Sequence, residues 1–287
     1  MKSPAATKYS MSGESWPPHH PGLDRIAAMP SRLRDEGFYF AHFWLPLLAF
    51  AILAVGLMLL HGDTWVADRM YAWQGHRWAL KNAFVTQTLI HIAGRDLSTA
   101  AWLAVAATWV VACLRPGMAA LRAPLAYLVL STLLATALVA WIKSWSNMDC
   151  PWDLLRYGGD RPYIGLLGLR PVGMSRGVCF PAGHSSGGYT WMALYFFFLM
   201  VRPRLRWLGL SVGVAAGLLF GISQQLRGAH FLSHDLWTAT LCWMSVFGIY
   251  LLFARRGDAR RAADDEFTPH EAALAPDTAA VRRRGAQ

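Results

Sequence analysis

Charge is scarce in this chain. Only 15% of its 287 residues are charged, against about 25% in an ordinary soluble domain. Hydrophobic residues make up 55%. That balance excludes a water-solvated globule and points to a membrane. Acidic residues are the scarcer sign, 17 against 27 Lys and Arg. They nowhere cluster into a set that would hold magnesium. No apolar core follows a basic start near Met1, so no cleavable signal peptide is expected, and the first membrane helix serves as an uncleaved anchor. No Gly-rich repeat or fixed sequence period is expected either. The net charge of +10 does not imply nucleic acid as a partner. The arginines fall in short clusters between apolar runs, which is the pattern of membrane topology rather than of a groove-binding stripe.

What is present is a set of apolar runs. Spanning a bilayer takes about 17–25 residues, and six candidates fit: 38–60 ("FYFAHFWLPLLAFAILAVGLMLL"), 97–114, 124–142, 186–201, 207–226 and 235–253. The fourth is short unless it begins inside "SSGGY". Fourteen Trp and nine Tyr suit interfacial belts. The fold class expected is an all-α integral membrane protein, a bundle of six transmembrane helices. Residues 1–37 form a polar cytoplasmic tail, 38–254 the membrane domain, and 255–287, rich in Ala, Arg and Asp, a disordered cytoplasmic tail. With both termini inside, the inner segments carry 17 Lys and Arg and the outer segments 10. The short "VRPRLRW" loop is the most telling of these. Segment 64–91 interleaves Trp65, Trp73, Trp78 and Phe84 with charges and is expected to be an amphipathic helix on the outer surface.

This topology gathers the unusual polar residues. Lys143 ends the third span on the outer side, and His184 starts the fourth. Arg227 and His230 lie in the outer turn between the last two spans, with His234 and Asp235 just after. Helix ends of a rigid bundle are suited to carrying such groups. The set fits phosphoryl transfer. Lys and Arg neutralise phosphate oxygens. Backbone N–H groups at the Gly183–Gly188 helix start add donors, with Ser185 as a capping hydroxyl. One histidine can attack phosphorus and a second can protonate the leaving oxygen. His230 and His234 at i, i+4 have zinc-ligand spacing but no evident third ligand, so neither metal nor cofactor is expected.

Three stretches resemble motifs of the type 2 phosphatidic acid phosphatase superfamily, which shares its helical core with vanadium haloperoxidases. "KSWSNMDCP" (Lys143 to Pro151) resembles Lys-x6-Arg-Pro. "PAGH" (Pro181 to His184) resembles Pro-Ser-Gly-His. "SQQLRGAHFLSHD" (Ser223 to Asp235) resembles Ser-Arg-x5-His-x3-Asp. The resemblance covers roughly residues 124–253. It implies a haloperoxidase-like core, His230 as the nucleophile forming a phosphohistidine, and His184 as the general acid. Lys143 and Arg227 would then hold phosphate. Four positions depart from the pattern: Cys150 for arginine, Ala182 for serine, Gln224 for arginine and His234 for aspartate. Arg227 lies one turn past Gln224 and can point into the same site. Arg156 or Arg161 would replace the arginine lost at Cys150. Either His234, on the same helix face, or Asp235 would orient His230. Cys150 and Cys179 flank these motifs in the outer loop and can pair if that side is oxidising.

The function implied is a metal-independent phosphatase of the bacterial inner membrane. It would hydrolyse a lipid phosphomonoester or diphosphate at the periplasmic face. Undecaprenyl diphosphate, phosphatidic acid, phosphatidylglycerol phosphate and lipid A phosphates are the substrates the family implies. The alternatives are a lipid phosphotransferase and a non-catalytic lipid-binding or transport protein that keeps the fold. Oligomeric state is left open.

Overall fold

The computed structural model describes residues 36–166 and 168–274, with side chains described up to residue 256. Nearly all of the tail expected at 1–37, and residues 275–287, lie outside the described residues. Among the described residues the fold is all-α, with no strand. Helix α1 covers Glu36–Leu59, and α2 covers Gly62–Trp73. Then come α3 (Phe84–Leu114) and α4 (Pro116–Trp145). Helix α5 (Gly183–Tyr189) runs through one tight turn, Thr190–Met192, into α6 (Ala193–Val201). Helix α7 covers Pro203–Leu226 and α8 covers Leu232–Leu274.

Five of these helices are long and apolar enough to cross a membrane: α1, α3, α4, α7 and the stretch of α8 up to Arg256. The chain is therefore a multi-pass membrane protein. The expected fourth span is the exception. It is continuous with α5 and has a polar first half, "GHSSGGYTW". That composition is tolerable because the segment packs inside the bundle. Ser185, Ser186, Thr190, Ala193 and Phe196 are all buried.

What brings neighbours so close to this polar helix is glycine. Gly209, Gly213, Gly217 and Gly221 recur every fourth residue along α7, so they share one face. A Cβ on Gly209 would sit 2.7 Å from the Leu194 carbonyl carbon. One on Gly213 would strike the backbone of Met192, and one on Gly217 the ring of Tyr189. Backbone packs on backbone along this seam, as small-residue membrane interfaces allow. The sequence reading expected no glycine period and missed this one, because the glycines are dispersed in an otherwise apolar run.

Two other expectations change. Segment 64–91 is not one surface helix. It comprises α2, an irregular turn over 74–83, and the start of α3. His76 has φ +55° and Gly75 φ +75°, so the chain reverses there. The tail expected from 255 is helical as far as Leu274, an extension of α8 through a stretch rich in good helix formers.

At the end expected to lie inside, the core is aromatic. Tyr127, Phe196, Phe247 and Tyr250 are buried together with Phe38. The Phe196 and Tyr250 rings stack 4.7 Å apart. At the opposite end, expected to lie outside, α2 and the loop 146–182 cover the bundle. Asp63 accepts the Ser233 N–H at 2.8 Å and so caps α8 from a distant segment. Burial pushes the Asp63 carboxyl above its ordinary range, and the Ser233 hydrogen bonds oppose that.

Candidate functional site

A cavity of about 540 Å³ opens where α3, α4, α5 and α7 meet. Its polar lining includes His91, Arg95, Lys143, His184, Gln224 and His230. Lys143, His184 and His230, separated widely in sequence, thus share one space. The same cavity continues along α3 and α4 past Trp102, Thr132 and Leu133. Thr132 precedes Lys143 by eleven residues, a rise of roughly 16 Å on a helix.

Each group is placed by local structure. Lys143 sits in the last turn of α4 and its Nζ donates to the Pro181 carbonyl at 3.4 Å. Gly183 gives its side chain passage, since a Cβ there would lie 3.3 Å from Lys143 Cδ. His184 follows in the first turn of α5. Its ring lies 4.3 Å from His91 and 4.7 Å from Phe220. Burial, with the charges of His91, Arg227 and Arg95, holds His184 down to about 4, against the opposing pull of the Ile90 carbonyl.

His230 is 7% exposed and sits in the turn between α7 and α8. Gly228 makes that turn with φ +73°, a conformation that favours glycine. Burial and then the Lys143 and His234 charges hold His230 well below its ordinary range, so its ring is neutral at pH 7. His230 Nδ1 faces His234 Nδ1 at 3.4 Å. The Cys179 carbonyl lies within hydrogen-bonding reach of both rings. Of the two residues weighed as its orienter, His234 is therefore the one in contact. Asp235 points elsewhere, accepting the Ser185 hydroxyl and, at 2.6 Å, the Gln225 amide. Cys179 is bonded to Cys150, which ties the carbonyl to the end of the first motif.

Not every expected residue reaches the cavity. Ser185 is fully buried and committed to Asp235. Ser186 lines the cavity instead, its hydroxyl donating to the Gly183 carbonyl. Arg227 lies behind Gln224. Its guanidinium donates to the Gln224 side chain at 3.0 Å, to the Lys81 carbonyl at 2.8 Å and to the Gln87 side chain. Arg156 and Arg161 are taken up by carboxylates that the sequence did not place near them. Arg156 forks onto Asp68 at 2.5 and 2.7 Å. Arg161 pairs with buried Asp149 at 2.6 Å, and Arg170 takes that carboxylate's other oxygen. Both replacement arginines thus serve the outer cover.

Sequence reasoning also passed over two lining residues, His91 and Arg95. They lie one turn apart on α3, with Ser98 a turn further along the same face. His91 Nδ1 is 2.6 Å from the Gln224 side-chain nitrogen. Ser98 Oγ donates to the Gly187 carbonyl at 2.7 Å and accepts from Trp191 Nε1 at 2.9 Å. The i, i+4, i+7 polar stripe leading into an apolar run was the available signal.

Metal-ligand spacing occurs among the described residues at Cys150, Asp153 and Cys179, but the two sulfurs there are bonded to each other.

Fold and site together define an all-α membrane protein with histidines and cations converging on one cavity. Residues 124–258, a little under half of the chain, match the PAP2 superfamily, and over this part the chain is similar to its members. The match includes α4 through the membrane stretch of α8 and all three motifs, and leaves out α3. It places the chain among proteins with phosphatase-type activity on phosphate esters. No curated protein and no solved structure matches the chain.

Proposed function

We propose that the protein hydrolyses a lipid phosphate ester or diphosphate at the outer, periplasmic face of a bacterial inner membrane, through a phosphohistidine on His230. The observation that carries this reading is the shared cavity. Lys143, His184 and His230 face a space that continues between α3 and α4 toward the membrane interior. A headgroup and the start of an acyl or prenyl chain would both fit such a space.

His230 is neutral and buried, as a nucleophile must be. Its Nδ1 is turned toward His234, which leaves Nε2 to attack phosphorus. Lys143, next to it, neutralises the transferring phosphoryl oxygens. His184 faces the leaving oxygen. It is neutral in the empty cavity, and a bound phosphate dianion raises its proton affinity. Water then attacks the phosphohistidine, which releases orthophosphate and restores the imidazole. No residue in this scheme calls for a metal.

The test is phosphate release in detergent with EDTA present, from a panel of lipid phosphates. Wild type should release phosphate, while His230→Ala and His184→Ala should lose at least about 100-fold each, the scale of a missing nucleophile or acid. A wild-type protein that releases nothing, yet transfers phosphate once an acceptor lipid is added, would replace hydrolysis with phosphotransfer. Full activity in His230→Ala would end the phosphohistidine mechanism.

A further inference from the structure

We propose that Arg95 and His91 on α3, beside His184, form a subsite for an anionic leaving group, so that the substrate is a lipid diphosphate rather than a lipid monophosphate. This rests on the hydrolytic reading above.

The cations of the cavity are partitioned. Lys143 acts on His230, the attacking side. Arg95 acts instead on His184, the leaving-group side, where the His91 ring lies tilted at 4.3 Å. A neutral leaving group such as a diacylglycerol would give the Arg95 charge nothing to bind. A departing lipid phosphate would.

The placement of Arg95 is fixed by its neighbours on the helix. His91, one turn before it, lies against His184, and Ser98, one turn after it, is bonded to Gly187. Arg95 is therefore held level with α5 and lines the cavity. Its carboxylate partner is Asp96 at 2.8 Å, with the two side chains 61% and 60% exposed. An exposed pair of this kind is weak, so a phosphate can take the guanidinium. The arginines of the outer cover contrast with it, since Arg161 and Arg170 are both committed to a buried Asp149.

The chemistry favours the same substrate. Nε2 of His230 bonds to the terminal phosphorus. The bond from that phosphorus to the bridging oxygen breaks, and its electron pair stays on the bridging oxygen. The leaving group is then a lipid monophosphate, whose second proton has a pKa of about 6. It departs without needing a full proton, and His184 has only to donate a hydrogen bond. An alkoxide has a far higher proton affinity and would need the proton itself. In the second step water bonds to phosphorus and the P–N bond breaks. Its electron pair returns to His230, and the water proton leaves through His184.

The experiment uses the full chain in detergent with farnesyl diphosphate and farnesyl phosphate, which differ by one phosphate. Phosphate release should be at least about tenfold faster in kcat/KM from the diphosphate. Arg95→Gln should lower the diphosphate value by about 10–100-fold, the worth of one charge-assisted hydrogen bond. The monophosphate value should fall less, so that the ratio of the two kcat/KM values drops at least about fivefold, and an unchanged melting temperature shows that the variant folds. Arg95→Lys should recover part of the loss. A wild-type preference for the monophosphate, or an equal fall on both substrates in Arg95→Gln, would overturn the proposal. If wild type hydrolyses neither, the hydrolytic reading fails, and binding decides the subsite alone. On His230→Ala protein, farnesyl methylenebisphosphonate should bind at least about tenfold tighter than farnesyl phosphonate, and adding Arg95→Gln should remove that advantage. Equal binding would overturn it.

Discussion

The two ends of this bundle are held by different forces. The end expected to lie inside is packed: Phe38, Tyr127, Phe196, Phe247 and Tyr250 are buried against one another. The end expected to lie outside is tethered. It has the Cys150–Cys179 disulfide, the double claim of Arg161 and Arg170 on Asp149, the Asp63 cap on α8 and the Arg156–Asp68 fork. Packing is non-directional, so it can hold helices together without fixing any one atom. Hydrogen bonds and covalent links fix atoms in place. The end that must aim His230 uses the directional kind.

That contrast can be broken at either end. The largest effect expected is functional and local: His230→Ala should abolish turnover while leaving the far-UV spectrum and melting temperature near wild type. A matching fall in stability would mean that His230 also holds the outer end together. Next is the inner core, where Phe196→Ala should cost about 3 kcal/mol. That is the low end for such truncations, because in lipid the lost contact is packing rather than release from water. Equilibrium unfolding in mixed micelles measures it, and the ratio of farnesyl diphosphate to farnesyl phosphate turnover should be unchanged.

The double change Cys150→Ser, Cys179→Ser opens a loop with a sequence separation of 29, worth about 3–4 kcal/mol on the chain-entropy account. It should also lower kcat, because the Cys179 carbonyl loses its tether. A loss of stability with kcat intact would place the aiming of His230 elsewhere. Arg156→Ala should cost under about 1 kcal/mol, since that side chain is 59% exposed.

A pH profile sharpens the electrostatics. In the proposed mechanism His230 must be neutral to attack, and its proton affinity is lowered in the fold. The acid limb of kcat/KM should therefore lie below 6.5. Lys143→Met removes a positive charge that disfavours the imidazolium, so the limb should move to higher pH as overall activity falls. An unmoved limb would assign it to another group.

The sequence made some of this legible and hid the rest for physical reasons. That Lys143, His184 and His230 share one cavity was readable because all three stand at helix ends, and the order of helices fixes which ends share a side. His234 as the contact of His230 was readable from its i, i+4 spacing. Arg156 and Arg161 went to Asp68 and Asp149 because long cations take the nearest buried or bidentate carboxylate, and nearness across a folded loop has no signature in the chain. His91 and Arg95 were passed over because they stand where a surface segment becomes a membrane helix. Polar residues at such a junction look like its boundary. The division of 64–91 into two helices was hidden in the same way, behind the turn at Gly75 and His76.

The glycine seam along α7 carries one more consequence. When side chains pack, each gives up rotamer freedom that folding must offset. Gly209, Gly213 and Gly217 have none to give up; they lose backbone freedom instead, more than other residues would, and in return let backbone meet backbone against α5 and α6. The polar helix α5 is then held with Tyr189 as its one large side chain on this seam, and its first turns stay available for chemistry.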